Sequence, residues 1–170
     1  MATQSTEVFE KFGGAPHSKQ SLRLWLRMLS CTTQIEHMIR TRLREQFDTT
    51  LPRFDVLAAL DRFHDGLTMG ALSRCLMVSN GNVTGVVNRL EQDGLIQRIP
   101  LKTDRRTHVV RLTEAGEAAF RDMAQIHEGW IDEMFAAIDS DEADFLLREL
   151  RKVQHSLADY DRKSSGQERA

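Results

Sequence analysis

The chain has 170 residues, of which 41% are hydrophobic and 28% are charged, and its formal net charge is −2. This composition predicts one soluble globular domain that is long enough to bury a core, and it excludes a membrane-spanning or low-complexity protein. Two cysteines without a Cys-x-x-Cys pair argue against a disulfide framework and favour a reduced, cytoplasmic protein.

The first fifty residues divide into an arm and a helix. Residues 1–19 lack an apolar core, so we expect a flexible arm and not a signal peptide. Residues 20–50 follow a long helical pattern that is apolar on more than one side. The apolar residues of this pattern are Leu22, Trp25, Leu26, Leu29, Ile35, Met38, Ile39, Leu43 and Phe47.

Two shorter helices are predicted next. Residues 51–63 have proline in the first turn, apolar side chains at 56, 57, 60 and 63, and a stop near Asp65-Gly66. Residues 68–76 begin with a capping threonine and are apolar at 69, 72 and 76. A turn follows at residues 77–79. The second helix would open a helix-turn-helix, and the first would support it.

Residues 79–90 predict the second helix of that unit. Val83, Val86, Val87 and Leu90 have the spacing of one buried helical face. The opposite face collects small and amide side chains, namely Gly81, Gly85 and Asn88, flanked by Asn82, Thr84 and Arg89. Each glycine costs roughly 1 kcal/mol in a helix relative to alanine, which suggests that something must approach the backbone closely. A DNA major groove admits a helix, and Asn, Thr and Arg can bond to base edges or phosphates there.

The ends of this helix also carry signals, and one competing interpretation remains. Ser79 or Asn80 would cap the start, and Gly94 would supply a left-handed stop. Asn80-Gly81 between β-branched residues is, however, also a strong signal for a hairpin over residues 78–87. The four-position helical period and the glycine stop favour the helix.

A basic hairpin should follow the helix. Residues 95–99 and 107–112 are short β-branched runs joined by a charged loop that starts at Pro100. The loop side chains Lys102, Arg105 and Arg106 are too polar for burial, so they should project into solvent. An ordinary solvated loop is the alternative, but three cations against Asp104, directly after a candidate recognition helix, favour contacts to phosphates or the minor groove.

Beyond the hairpin, residues 113–162 predict two further helices, and residues 163–170 a disordered tail. Their apolar residues are Phe120, Met123, Ile126, Trp130, Ile131, Met134, Phe135 and Ile138 in the first, and Phe145, Leu146, Leu150, Val153 and Leu157 in the second. Such broad apolar faces exceed what one small domain needs, so we expect a two-fold homodimer.

The charge of the chain is unevenly distributed. Residues 94–112 hold five arginines and lysines against one aspartate, whereas residues 113–160 hold four against twelve acidic residues. A cationic edge backed by an acidic body would orient the protein on a polyanion such as DNA. The same acidic helices also serve as solvated faces.

The segment from Leu51 to Gly116 resembles the MarR (multiple antibiotic resistance regulator) family of winged-helix transcription factors. The resemblance lies in the helix-turn-helix, in Leu-Glu-Gln-Asp-Gly-Leu-Ile at 90–96, in Asp-Arg-Arg at 104–106 and in Arg-Leu-Thr-Glu-Ala-Gly at 111–116, and it extends more loosely over about residues 20–160.

The resemblance implies a mainly α (α+β) fold, a winged helix-turn-helix at 51–112 within one domain at 20–162, with dimerisation helices at 20–50 and 113–162. It implies that Arg106 enters the minor groove and that Asp104 orients it, whereas Asn88 stands where many relatives have aspartate. The expected DNA-binding residues are Ser79, Asn80, Gly81, Asn82, Thr84, Gly85, Asn88, Arg89, Lys102, Asp104, Arg105 and Arg106. Their partner would be double-stranded DNA with a pseudo-palindromic operator.

The resemblance also implies a repressor that a small molecule releases from DNA. The candidate effector-binding residues are Trp25, Arg27, Met28, Phe63 and His64, which combine apolar surface with cations for a carboxylate or phosphate. Core packing, surface ion pairing and a solvated helix end are their plainer explanations. The segments 22–31 and 79–85 are most similar to the MarR branch that governs aromatic-acid and hydroxycinnamate breakdown. An aromatic carboxylate or aromatic acyl-CoA is therefore the expected effector.

Other functional classes find less support. No nucleophile elbow, phosphate loop or paired acid and base is apparent, so no enzyme, catalytic residue or cofactor is expected. The six histidines show no metal-binding spacing, so no metal is expected either. A redox switch at Cys31, a metal-responsive regulator and an architectural protein that binds DNA without sequence preference remain alternatives.

Overall fold

The computed structural model describes residues 19–100 and 107–167, which form helices around a small sheet. The elements, in chain order, are α1 (Gln20–Phe47), α2 (Leu51–Arg62), β1 (Leu67–Thr68), α3 (Met69–Cys75), α4 (Asn80–Gln92), β2 (Ile96–Pro100), β3 (His108–Leu112), α5 (Glu114–Phe135) and α6 (Ser140–Gln167). The predicted winged helix-turn-helix and the mainly helical fold are confirmed. None of these helices is long and apolar enough to cross a bilayer.

Helix α1 is buried only near its C-terminal end. Ile39 and Leu43 are buried, whereas Leu22, Leu24 and Trp25 are 44%, 54% and 56% exposed. The helix ends where Asp48 adopts a left-handed conformation (φ 47°) and its N–H bonds to the carbonyls of the last turn. Of the nine residues in the predicted apolar pattern of α1, four are exposed and three are half-buried in the single chain.

Helix α2 supplies the centre of the core. Val56, Leu57 and Leu60 are each 1% exposed, as the apolar pattern predicts. Phe63 belonged to the same predicted face but is 42% exposed. The helix ends at Arg62, and Phe63 has φ −117° and ψ 74°, so its side chain leaves the helical face. The prediction that Phe63 belongs to the apolar face of this helix is therefore wrong.

Helices α3 and α4 form the helix-turn-helix. Thr68 caps α3, because its Oγ1 accepts a hydrogen bond from the N–H of Ala71 at 3.3 Å. Val83, Val87 and Leu90 of α4 are buried, which confirms the helix over the hairpin alternative. Ser79 occupies the N-cap position of α4, as predicted, but its side chain forms no capping hydrogen bond.

Asn80 does not cap α4 either, because its side chain is used elsewhere. Its Oδ1 accepts a hydrogen bond from the Oγ of the buried Ser73 on α3. The bond joins the two helices of the motif instead of the free N–H groups of the first turn. At the other end, Gly94 adopts φ 72° and provides the predicted left-handed stop.

The three strands form an antiparallel sheet in the order β1-β3-β2. The hairpin of β2 and β3 is confirmed, and Pro100 pairs with His108 at the end of the edge strand β2. Val110 and Ile96 bury their side chains in the core, at 0% and 2% exposure. The two-residue strand β1 was not predicted, since two residues carry no measurable alternation.

The chain divides into two compact units, one up to Glu128 and one from Gly129. The boundary falls inside α5, so one helix contributes to both units. Helix α6 extends to Gln167, five residues into the tail expected to be disordered from Lys163. Residues 163–167 contain the poor helix formers Ser164, Ser165 and Gly166, but no proline, which would break the helix outright.

Candidate nucleic-acid interface

The side of α4 that faces away from the core is exposed and small. All eight residues predicted in this region to bind DNA lie at the surface, namely Ser79, Asn80, Gly81, Asn82, Thr84, Gly85, Asn88 and Arg89. A Cβ atom built on Gly81 or Gly85 would meet no atom within 4 Å. The two glycines therefore leave open space beside the helix backbone and are not required by packing within the chain.

Some polar side chains on this surface already have partners within the protein. The Oγ1 of Thr84 donates to the backbone carbonyl of Asn80 at 2.8 Å, within the helix. Across the part of the chain that the structure describes, no hydrogen bond or ion pair engages the side chains of Asn82 and Arg89. These two side chains are thus the most available for an external ligand.

A second feature joins α4 to the wing. Arg98 on β2 donates from Nη2 to the Oδ1 of Asn88 at 2.6 Å, and its Nη1 forms an ion pair with Glu91. Asn88 and Glu91 are three residues apart and lie one helical turn from each other. Arg98 thereby binds two successive turns of the helix. The sequence indicated Arg98 only as one of several cations in the hairpin.

The opposite strand of the wing is fixed at its base. Arg111 on β3 donates from Nε to the carbonyl of His64 at 2.9 Å and approaches Asp65 at 3.4 Å. Gly66 lies beneath this side chain with φ 85°, and an added Cβ would come within 2.5 Å of the Cγ of Arg111. The turn after α2 therefore requires glycine and holds β3 in place.

Thr113 and Gly116 explain the Leu-Thr-Glu-Ala-Gly motif. The Oγ1 of Thr113 donates to the carbonyl of Gly94 at 2.6 Å and accepts from the N–H of Gly116 at 3.1 Å. A Cβ on Gly116 would stand 1.9 Å from the carbonyl oxygen of Leu95. The start of α5 is consequently locked against the residues that follow α4.

Two titratable groups lie beneath this scaffold. Burial raises the pKa of Asp55 on α2 to about 6, although the charge of Arg40 lowers it and that of Glu36 raises it further. Burial also lowers the pKa of His127, whose ring centroid lies 4.7 Å from that of Phe54. Both groups belong to the packing of helices and not to the exposed face of α4.

The wing tip falls outside the described residues. Lys102, Asp104, Arg105 and Arg106 lie between Pro100 and Thr107, in the part of the chain that the structure does not describe. Their DNA-binding role stays a prediction. The last residue of β2, Pro100, pairs with the first residue of β3, His108.

One cavity in the described part of the chain contains a single candidate effector residue. A cavity of about 320 Å³ is lined by His64 together with Leu60, Gln97, Arg111, Leu112, Glu114 and Glu117, and its lining includes none of the other four. Trp25 is 56% exposed and Phe63 42% exposed, and Arg27 is also exposed. Met28 is half-buried. Their effector role therefore stays a prediction.

Known proteins are similar to this chain in both sequence and architecture. The sequence model of the MarR family matches residues 47–107. A crystal structure of a MarR family transcriptional regulator from Silicibacter pomeroyi is 30% identical, with a TM-score of 0.71, over 85% of this chain and 99% of that one. The chain belongs to the MarR family. It is a DNA-binding transcriptional regulator with a winged helix-turn-helix fold.

Two further proteins are similar to this chain. The transcriptional activatory protein BadR of Rhodopseudomonas palustris is 36% identical over 105 residues, which span 61% of this chain but only 59% of BadR. A mutant of E. coli MarR in complex with operator DNA has a TM-score of 0.70 over 82% of this chain and 99% of that one. At 24% identity, this second likeness shows the fold alone.

Proposed function

We propose that this MarR-family regulator binds a pseudo-palindromic operator as a homodimer, with α4 of each subunit lying in the major groove. The observation that carries the proposal is the face of α4, where Gly81 and Gly85 leave the backbone open and polar side chains surround it. A helix without side chains at two positions can come closer to base edges than a helix covered by larger residues. The complex of the E. coli relative with operator DNA supports the same use of the fold.

Asn82 and Arg89 are the side chains that we assign to base and phosphate contacts. Asparagine bonds in a bidentate way to adenine, and arginine bonds to guanine or to phosphates. Asn82 lies in the first turn of α4, the end of a recognition helix that contacts base edges. Arg89 lies in the last turn, where a cation suits the phosphate backbone beside the groove.

The wing would bind beside the helix. By its resemblance to the family, Arg106 would enter the minor groove and Asp104 would orient it, with Lys102 and Arg105 on phosphates. Arg98 and its partners on α4 support this arrangement, because they fix the root of the wing to the recognition helix. The positive charge of residues 94–112 would attract the DNA to this edge of the protein.

Apolar surface on two helices supports the homodimer. On α1, Leu22, Leu24 and Trp25 are exposed in the single chain, and on α6 the exposed apolar residues are Phe145, Leu146, Leu147, Leu150 and Leu157. Surfaces of this kind are costly in water unless a partner covers them. A second copy of the chain is the simplest partner, since most homo-oligomers are two-fold dimers. Such a dimer would present two copies of α4 to half-sites about 10 bp apart.

We further propose that an aromatic carboxylate or an aromatic acyl-CoA releases the protein from its operator, so that it acts as a repressor. Residues 22–31 and 79–85 carry the resemblance to the branch that governs aromatic-acid breakdown. The exposed Trp25 offers a flat apolar surface, and Arg27 offers a cation for a carboxylate or phosphate. BadR is named as an activatory protein, so the direction of the transcriptional effect needs its own measurement.

One experiment tests DNA recognition. The full chain selects duplexes from a random library, and gel shifts then compare the selected duplex with scrambled DNA at several salt concentrations. A regulator of the proposed kind binds the selected duplex at least about a thousandfold more tightly and as a dimer. Equal affinity for both duplexes, with a steep salt dependence, would indicate an architectural protein instead.

A second experiment tests the effector. Calorimetric titration with p-coumaroyl-CoA, feruloyl-CoA and free p-coumarate should give binding heat for at least one ligand, and that ligand should release the selected duplex in a gel shift. Arg27→Met should weaken the binding of this ligand while leaving DNA binding unchanged, because Arg27 is exposed and belongs neither to the apolar dimer surface nor to α4. Absence of heat with all three ligands would remove the effector proposal and leave the DNA proposal intact.

A further inference from the structure

The turn between α3 and α4 exposes an apolar side chain directly before the recognition helix. Met77 is 93% exposed, more than any other large hydrophobic residue in the described parts of the chain. Its neighbour Val78 is 44% exposed. The next residue, Ser79, is the N-cap of α4. Two apolar side chains therefore stand at the end of α4 that reaches base edges in helix-turn-helix complexes.

The backbone of this turn is well fixed. The N–H of Met77 bonds to the carbonyl of Arg74 at 3.2 Å, and the N–H of Val78 bonds to the carbonyl of Ser73 at 3.1 Å. The bond from Ser73 to Asn80 closes the turn on its other side. The exposure of Met77 thus belongs to a turn with defined geometry and not to a free chain end.

The residue type at this position is unfavourable for the fold itself. Met77 has φ 55°, in the left-handed region. Glycine and asparagine adopt this conformation readily, whereas for other residues it costs roughly 1 kcal/mol of conformational free energy. Full exposure of its side chain adds no packing energy in return. A glycine here would serve the turn better, so the methionine is best explained by a contact outside the chain.

We propose that Met77 is a specificity-determining residue that packs against the C5-methyl group of a thymine in the operator, at the edge of the half-site contacted by α4. The thymine methyl is the apolar feature of the major groove, and apolar side chains recognise it. Ser79, Asn80 and Asn82 at the start of α4 are polar, and the neighbouring apolar side chain, Val78, is 44% exposed against 93% for Met77. Methionine is unbranched and adaptable, which suits a shallow apolar target.

The inference rests on the proposed operator binding, and its test uses the duplex that the full chain selects from a random library. Each thymine of one half-site is replaced in turn by deoxyuridine, which removes only the C5-methyl group. Affinity is measured for the wild type, Met77→Gly and Met77→Gln. The glycine variant suits the left-handed turn, and the glutamine variant retains the length of the side chain but adds a polar end.

We expect one thymine whose replacement weakens the wild type about fourfold, the effect of losing one buried methyl group. Met77→Gly should bind the thymine and deoxyuridine duplexes equally, and Met77→Gln should also lose most of the discrimination. Asn82→Ala serves as the matched control: it should weaken binding but retain the fourfold effect.

Two results would overturn the inference. A wild type that is indifferent to every replacement shows that no thymine methyl is read, and a Met77→Gly variant as sensitive as the wild type shows that another residue reads it. In both cases the selected duplex is still bound, so the operator proposal survives. If no duplex is selected at all, the proposed function fails and this inference fails with it.

Discussion

Arg98 on β2 donates a hydrogen bond to the side-chain oxygen of Asn88 on α4, with 2.6 Å between Nη2 and Oδ1. The same guanidinium forms an ion pair with Glu91, and both members of that pair are partly buried. The recognition helix and the wing are therefore joined by one side chain with two anchors. By the resemblance, Asn88 stands where many relatives have aspartate, and its amide oxygen accepts a bond from a cation of the wing.

A double-mutant cycle tests this contact. Asn88→Ala, Arg98→Met and the double variant should show a coupling of about 0.5–1 kcal/mol in the free energy of unfolding. The cycle cancels the helix propensity that Asn88→Ala changes by itself. Denaturant unfolding of the four proteins measures the coupling. As a control, a second cycle combines Arg98→Met with Asn82→Ala. The side chains of these two residues are not in contact, so this coupling should be near zero. A coupling of zero for Asn88 would refute the contact.

DNA binding should distinguish Asn82 from Asn88, two of the three asparagines of α4. Asn82→Ala should change the preferred base at one position, because its amide is free to bond to a base edge. Asn88→Ala should lower the affinity for all DNA sequences by a similar factor. The side-chain oxygen of Asn88 already accepts a bond from Arg98, and loss of that bond should loosen the attachment of the wing. Gel shifts on a panel of single-base variants of the selected duplex measure the preference. A changed base preference in Asn88→Ala would show that Asn88 itself reads a base.

The open face of α4 leads to a prediction at Gly85. Gly85→Leu should raise the free energy of unfolding by about 0.5–1 kcal/mol, because leucine favours the helix and no atom lies within 4 Å of the new Cβ. Affinity for the selected duplex should fall at least about tenfold, since base contacts worth about 1–3 kcal/mol each require close approach. Thermal unfolding and gel shifts measure the two effects.

Gly129→Leu is the control for that substitution. Gly129 lies on α5, and a Cβ there also meets nothing within 4 Å. The control should gain similar stability and keep its affinity for DNA. Undiminished operator binding by Gly85→Leu would contradict the close approach of α4 to the groove.

The structure of α4, which carries the candidate DNA-binding surface, could largely be predicted because it depends on local sequence. The period of Val83, Val87 and Leu90 defines the buried face of α4, and the exposed face follows by geometry. Gly94 ends α4 and Thr68 caps α3, and both roles depend only on residues nearby in the sequence, so they could also be predicted. Such features require no knowledge of how distant segments meet.

The features that sequence reasoning missed depend on partners elsewhere in the chain or on the residue at which an element ends. The anchor of Arg98 needs the relative rotation of a helix and a strand, which no periodicity encodes. Asn80 has a distant alternative partner in Ser73, and only the packing of α3 on α4 shows that this partner is chosen. Phe63 fits the apolar spacing of α2 but lies one residue past its end. Boundaries and tertiary bonds are therefore where the sequence was least informative.

Gly116 should be the least tolerant glycine of α5. Gly116→Ala should lower the free energy of unfolding by about 1–3 kcal/mol, because its Cβ would stand 1.9 Å from the carbonyl oxygen of Leu95 and the backbone must move. Gly129→Ala, on the same helix but in open space, should instead gain up to about 1 kcal/mol. Urea unfolding of the two variants gives the comparison. Equal stability of both would mean that α5 does not press on Leu95.

The carboxyl group of Asp55 should make stability depend on pH. Its pKa is raised to about 6 in the folded chain from 3.8, mainly by burial, so the folded state binds the proton more tightly than the unfolded state. The folded protein should therefore lose stability as pH rises from about 4 to 6, and the loss should level off above that range. Asp55→Asn should remove this slope.

At pH 8 we expect Asp55→Asn to be more stable than the wild type by on the order of 1 kcal/mol, a value reduced because solvent still reaches the carboxylate. At pH 4 the two proteins should unfold at nearly the same denaturant concentration. Arg40→Met offers an independent check, since the charge of Arg40 lowers the pKa of Asp55. Its removal should shift the slope to higher pH and steepen the loss of stability, and the double variant with Asp55→Asn should not show that shift. A wild-type pH profile that runs parallel to that of Asp55→Asn between pH 4 and 8 would show that Asp55 ionises equally easily in the folded and unfolded chains.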